Sequence, residues 1–350
     1  MATLTDVFSP NGFNVYSLTS AIQKLPKQPS FIQSTGLFRE IPVNTTTVAV
    51  EERDGALALI PTTARGGAGV PDAAENRNLR NFTVPHLQVD GFVLADQVTN
   101  VRAFGSEDAL EGVQEVVNRQ LDQAQRSIMA TDEFLKIGAL RGLINYPPNS
   151  VDADVNLFTA FGTTQQELDM DLGTAGTQQL LDNLPEISDR IEDALGNDIG
   201  IVSKIQVLCS REFFRNFIQH ATVQQAYARF QAFESARPLD YVAPFRRRFT
   251  FDQFEFIEYY GNVSGHFYIA QDEAESDVHN EAVAYPVGPD IYHSYLSPAD
   301  YVEAVGTMGQ PIYTRPRIRQ DGKGVILETQ RNALNLCLRP RALIRLFSTT

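Results

Sequence analysis

The chain has 350 residues, 43% hydrophobic and 21% charged, a composition ordinary for a folded protein and a length that exceeds what one hydrophobic core usually serves. A net charge of −14 counts against a surface built to hold nucleic acid. No stretch approaches the roughly 18 apolar residues of a membrane span, and the start MATLTDVFSPNGF lacks the basic region and apolar core of a secretory signal.

Residues 1–45 mix short apolar pieces with breakers; Leu18 to Leu25 suit a short helix, interrupted by Pro26 and Pro29. Residues 46–60 read as two strands, TVAVEE and ALALIP, joined at Arg53-Asp54-Gly55, because an Asp-Gly step favours a tight hairpin. The segment ARGGAGVPDAAENRN has the composition of a loop tip, and FTVPHLQVDGFVL (82–94) reads as a returning strand. Residues 46–94 are thus expected to form a two-stranded flap, with Ala64, Arg65, Gly66, Gly67 and Gly69 at its tip. An isolated hairpin is marginal in water, so this one needs a surface to lie on. If that surface is not in its own chain, it belongs to a neighbour, and the tip residues are expected to touch it.

A long amphipathic stretch follows. Val113, Val117, Leu121, Ala124, Ile128 and Leu135 fall mostly three or four apart, forming one stripe of a helix. Ser106 stands at the N-cap, Glu107, Asp108 and Glu111 occupy the first turn, and Lys136 and Arg141 lie near the other end. Ser106–Arg141 as one helix would span roughly 50 Å, a strut, with Glu115, Arg119, Asp122 and Arg126 facing outward. Pro147 and Pro148 end the pattern; residues 151–162 alternate as a strand. Helices are expected at Thr177–Leu195 and Arg211–Arg229, with a strand at 203–210 between them. Two aromatic strands occupy 247–261, and GHFYIAQDEA and AVAYPVG have strand and turn character. A hairpin turns at Asp321-Gly322, and LNLCLRP and ALIRLF close the chain as strands. Without βαβ alternation the class is α+β. Arg315, Arg317 and Arg319 share one strand face, read as solvated or as a subunit contact. Cys209 and Cys337, in apolar contexts, are expected to be buried, reduced thiols.

No constellation for catalysis emerges. His86, His220, His266, His279 and His293 include no i, i+4 pair, and neither HExxH nor CxxC occurs. Asp152, Asp154 and Asn156 imitate the start of a calcium loop, but Leu157 stands where Gly is needed and Thr163 where Glu is. Asp171-Leu172-Gly173-Thr174 lacks the buried strand that a phosphate loop follows, and Gly66, Gly67 and Gly69 fit no nucleotide motif. The cluster QDEAESD (271–277) reads as a solvated loop. No catalytic, cofactor-binding or metal-binding residue is assigned.

The blocks LTSAIQKLP, GLFRE, VAVEE, LIPTTARGG and the C-terminal GKGVILETQRNALNLCLRPRALIRL, in this order, resemble the lambda-type major capsid proteins of tailed phages, the phage capsid protein E family. The resemblance covers nearly the whole chain. It implies the tailed-phage major capsid fold: an N-terminal arm (1–45), an extended loop (46–94), a peripheral domain (95–165) with a spine helix (106–141), and an axial domain (166–305). Residues 306–332 would return to the peripheral domain and 333–350 to the axial one. It also implies self-assembly into hexamers and pentamers of an icosahedral head around double-stranded DNA. The site would be the virion, and the host cytoplasm during assembly. Portal and scaffold proteins would be partners, with a decoration protein left open, DNA held non-specifically on the inner face and no membrane. An encapsulin-like cargo shell of the same fold stays open, as does a soluble α+β hydrolase using the acidic clusters.

Overall fold

Burial, more than local turn preference, decides the first half of this chain. The computed structural model describes residues 18–19, 22, 31–54, 76–94, 113–173, 179–196, 202–225, 239–243, 246–251, 253–259, 262–263, 266–267 and 281–348. Leu18, Thr19 and Ile22 are helical and buried, ahead of a short helix α1 (Phe31–Thr35) and strand β1 (Arg39–Pro42). Strand β2 (Thr47–Asp54) pairs antiparallel with β3 (Asn76–Thr83), Thr47 opposite Thr83 and Asp54 opposite Asn76. Arg53 and Asp54 continue the strand instead of forming the expected tight turn, and residues 56–60 lie outside the described residues. The longer-range register sets Val48 opposite Phe82, both buried, and that burial outweighs the Asp-Gly turn preference.

The expected single strand over 82–94 is also corrected. It breaks at Val84-Pro85-His86, and β4 (Leu87–Leu94) joins a different sheet. The two-stranded flap is thus β2 with β3, and β4 belongs to the body.

Helix α2 (Val113–Leu140) is the expected strut; its extension back to Ser106 lies outside the described residues. Val117, Leu121, Ala124, Ile128 and Leu135 are buried, joined by Val116. Glu115, Arg119 and Arg126 are exposed, and half-buried Asp122 pairs with Arg126 at 2.6 Å. Two short strands follow, β5 (Leu143–Ile144) and β6 (Val155–Asn156), then helix α3 (Leu157–Phe161). The strand expected over 151–162 survives only as β6. Asn156 Oδ1 accepts from Thr159 N, and Gly162 takes a left-handed φ of 65°, so both ends of a single helical turn are capped. That turn buries Leu157, Phe158 and Phe161.

Gly142, with φ 76°, lets the chain double back under this turn, and a Cβ there would stand 2.2 Å from the Phe158 ring. Gly142→Ala is expected to lose more than the about 1–2 kcal/mol of left-handed strain alone, read as a lowered thermal midpoint. An unchanged midpoint would show that Phe158 swings aside freely.

The remaining elements in order are β7 (Gln166–Asp169), α4 (Gln179–Leu195), β8 (Lys204–Cys209), α5 (Arg211–Gln219), β9 (Leu239–Ala243), β10 (Arg246–Phe251) and β11 (Phe254–Glu258). Then come β12 (Asn262–Val263), β13 (His266–Phe267), β14 (Glu281–Val287), β15 (Tyr292–Leu296), β16 (Tyr313–Ile318), β17 (Gly324–Arg331), β18 (Ala333–Cys337) and β19 (Ile344–Phe347). Helix α5 is shorter than the expected Arg211–Arg229: His220 leaves helical geometry, a further turn covers 221–225, and 226–229 lie outside the described residues. Gly322 at φ 67° closes the β16–β17 hairpin where Asp321-Gly322 predicts it.

A mixed seven-stranded sheet runs β7-β19-β14-β8-β11-β10-β9, and Phe217 of α5 stacks on its Phe256 at 4.0 Å. A second sheet, β16-β17-β4, lies against the first half of α2 and shares a separate small core with it, including Val93, Val117, Leu121, Val325 and Leu327. Leu18 and Ile22 join that core. The third sheet is β1-β15-β18. Helix α2 bridges the two cores, since its last turns, Ile137 to Leu140, pack in the larger one. Cys209 and Cys337 are free and buried; burial pushes the Cys337 thiol up to about 12 and the Cys209 thiol well above its ordinary value.

Candidate assembly interface

The ribbon formed by β2 and β3 has two unlike faces. Val48, Val50 and Phe82 turn inward and are buried, while Leu79 on the opposite face is 66% exposed. The inward face rests on α3. Phe82 stacks on Phe161 with ring centroids 6.1 Å apart, and the Arg80 guanidinium lies 5.2 Å over the same ring. Arg80 also donates to the carbonyls of Ala160 and Phe161, which lie at the helix end where intrahelical donors run out. The root of the ribbon is therefore fixed by aromatic packing and by a cation on carbonyls. The tip residues Ala64, Arg65, Gly66, Gly67 and Gly69 lie outside the described residues.

Other exposed large apolar side chains among the described residues are Val151 between β5 and β6, Phe92 and Ile318 on the β16-β17-β4 sheet, and Val302, Val305 and Met308 on the turn before β16. Arg315, Arg317 and Arg319 each have a local partner: Arg315 lies 5.3 Å from the Tyr301 ring, Arg317 pairs with Glu328, and Arg319 pairs with Asp321 at 2.8 Å.

Where the two cores meet, α2 carries a buried ionic joint. The Asp132 carboxylate accepts from Lys136 Nζ at 2.8 Å, Arg331 Nη2 at 3.1 Å and Asn335 Nδ2 at 3.2 Å. All four residues are almost wholly buried. Burial works to raise the Asp132 pKa, but the charges of Arg331 and Lys136 and the hydrogen bonds from Lys136 and Asn335 outweigh it and hold the carboxyl at about 2. Beside it, Glu133 accepts from Ile32 N at 3.0 Å and Tyr259 OH at 3.2 Å, tying α1 to the strut. Sequence reading missed this joint. Its only local trace is the i, i+4 spacing of Asp132 and Lys136, which on an amphipathic helix is ordinarily a surface pair.

The residues weighed for chemistry have structural work. Asp154 accepts from Tyr146 N at 2.7 Å and Asn156 caps α3, so the calcium-like run is a turn. His293 lies between Asp290 and Tyr295, His86 between Gln88 and Asn332, and His220 is buried. Only the backbone of His266 is described, and His279 lies outside the described residues. Among the described residues no three His, Cys, Asp or Glu side chains are grouped to hold a metal ion.

Helix α2 bridges two cores, and the β2–β3 ribbon is fixed at its root with Leu79 exposed on its outer face. The sequence profile of "Phage major capsid protein E" matches residues 14–348. The chain belongs to the phage major capsid protein E family. It is 25% identical to the major capsid protein of Pseudomonas phage KPP10 over 96% of this chain and 97% of that one. It is 22% identical to the major capsid protein of Salmonella phage Felix O1, with 95% of each covered. Among solved structures, a protein assigned as the capsid protein of an Escherichia coli CFT073 prophage shares the fold with a TM-score of 0.60 at 11% identity, covering 96% of this chain and 99% of that one. A subunit of the phage major capsid protein E family is a structural protein of the virion shell, and the α+β capsid fold expected from the sequence is the one present.

Proposed function

We propose that this subunit builds hexamers and pentamers of an icosahedral head enclosing double-stranded DNA, and that its ribbon clamps a neighbouring copy. The carrying observation is the ribbon itself: its root is bolted to α3, its outer face leaves Leu79 in water, and its chain continues through the glycine-rich segment. A two-stranded ribbon with an apolar side chain left in water gains stability against another surface. Ala64, Arg65, Gly66, Gly67 and Gly69 would make the far contact. In this reading α2 with the β16-β17-β4 sheet is the peripheral unit, the seven-stranded sheet with α4 and α5 the axial one, and residues 1–45 the arm. Portal and scaffold proteins are further partners, and the acidic charge of −14 suits an inner wall that does not hold DNA fast. The chain carries out no catalysis in this role.

Deleting residues 62–75 is the test. The subunit is expected to stay soluble and folded, because β2, β3 and their docking on α3 are untouched, but to fail to close shells in electron micrographs. Normal capsids from the deletion would overturn the clamp.

A further inference from the structure

A groove of about 380 Å³ opens between helix α4 and the turn that joins β10 to β11. Leu184 and Pro185 on the helix, with Phe251 and Phe254 on the sheet, make its floor apolar. Gln253 Nε2 donates to Ser188 Oγ and ties the two walls together. Asp189 and Glu192 stand exposed on the helical rim, and neither has a hydrogen bond or ion pair among the described residues. Arg190, between them in sequence, is turned elsewhere: it pairs with Glu186 at 2.5 Å and donates to the Glu167 carbonyl at 2.9 Å. No Lys or Arg among the described residues lines the groove. An apolar floor beneath two unpaired carboxylates suits an apolar side chain that arrives with positive charge.

The β2–β3 ribbon carries that chemistry on the face away from α3. Leu79 is exposed there. One step further from the root, at positions on the same face, the strand register sets Arg53 directly opposite Arg77. Like charges facing each other across a strand pair are destabilising, and an acidic surface laid against this face removes that penalty. Glu51, opposite Leu79, offsets one of the two charges and leaves the face net positive. The spacings also agree. Positions facing each other on paired strands stand about 5 Å apart, and helix positions three residues apart stand about 5–6 Å apart, so two arginines match two carboxylates one to one. Leu79, two residues along β3 and so roughly 7 Å away, then falls over the apolar floor.

We propose that this groove is the seat of a neighbouring copy's ribbon. Leu79 of one copy enters against Leu184, Pro185 and Phe251 of the next, and Arg53 and Arg77 meet Asp189 and Glu192. This rests on the reading of the ribbon as the clamp and names the surface that the clamp grips.

The test uses the full chain assembled into shells. Leu79→Cys combined with Pro185→Cys is expected to give disulfide-linked ladders of subunits on non-reducing gels, whereas either single variant gives none. The native Cys209 and Cys337 are buried and stay out of the reaction. A disulfide closed within one chain, ladders from Leu79→Cys alone, or no disulfide at all would overturn the seat. Charge reversal is the second arm. Asp189→Lys with Glu192→Lys should lower the yield of closed shells about tenfold, and leave the thermal midpoint of the unassembled subunit unchanged because both positions are exposed. Adding Arg53→Glu and Arg77→Glu should restore the yield. No loss, or a loss that the second pair does not restore, would overturn the seat. If the deletion of residues 62–75 closes normal shells while ladders and restoration are found, the seat stands and the far contact of the clamp falls. If the deletion blocks closure and the ladders are absent, the clamp stands and the seat falls.

Discussion

Asp132→Ala is expected to destabilise the folded subunit by about 3–5 kcal/mol, because it strands Arg331 and Lys136 as buried cations without their shared carboxylate. The loss is mostly the cost of the unpaired charges. Replacing Asp132, Lys136 and Arg331 together by apolar residues of similar volume should therefore cost much less than Asp132→Ala alone. The joint also sets an acid limit. The Asp132 carboxyl titrates at about 2 in the fold against an ordinary 3.8, so its contribution is complete above pH 4 and is lost as pH falls from 4 towards 2. The difference amounts to about 2 kcal/mol. Urea midpoints measured from pH 2 to 7 should show this loss in the wild type, and Asp132→Asn should flatten that part of the profile. A wild-type midpoint for Asp132→Ala at pH 7 would show that the cations find water or other partners.

Leu121→Asp should abolish soluble expression. Leu121 is 1% exposed in the small core shared by α2 and the β16-β17-β4 sheet. A carboxylate there would be set among the apolar side chains of Val93, Val117, Val325 and Leu327, and burying one unpaired costs several kcal/mol. Such a loss is a large part of the about 5–15 kcal/mol that holds an ordinary domain together. Leu121→Ala separates charge from packing: it should lose about 2–5 kcal/mol and stay soluble with a lowered thermal midpoint. Wild-type shell yield from Leu121→Asp would mean that this face of the helix is not the packed one.

How much of this was legible differs by element, and the reason is range. The strut was written in its 3.6-residue stripe, and Val117, Leu121, Ala124, Ile128 and Leu135 of the predicted apolar set are buried, because helical periodicity is a local signal that a single core face reinforces. The β16–β17 turn was legible for the same reason: Gly322 supplies the positive φ that the turn needs within a few residues. The β2 partner was not. Two candidate strands lay downstream, and the nearer had the better turn, but the pairs made by the buried Val48 and Val50, with Phe82 and Arg80 respectively, form only in the longer-range register that sets Phe82 on Phe161. The strand expected over 151–162 failed differently, since a period-2 pattern over VNLFTAFG was overridden by Asn156 and Gly162, residues able to cap a single helical turn.

For the assembly surface, the sequence by itself determined that a flap with a glycine-rich centre exists and that the arginines at 315, 317 and 319 share a face. The tertiary structure alone decided what fixes the flap. Arg80 meets the end of α3 and His86 meets Asn332, and between the cores Asp132 meets Arg331, across separations of roughly 80 to 250 residues. Local propensity carries no information about such encounters. They are set by which faces two cores bury, and the charged groups left between those cores take the partners that the packing brings to them.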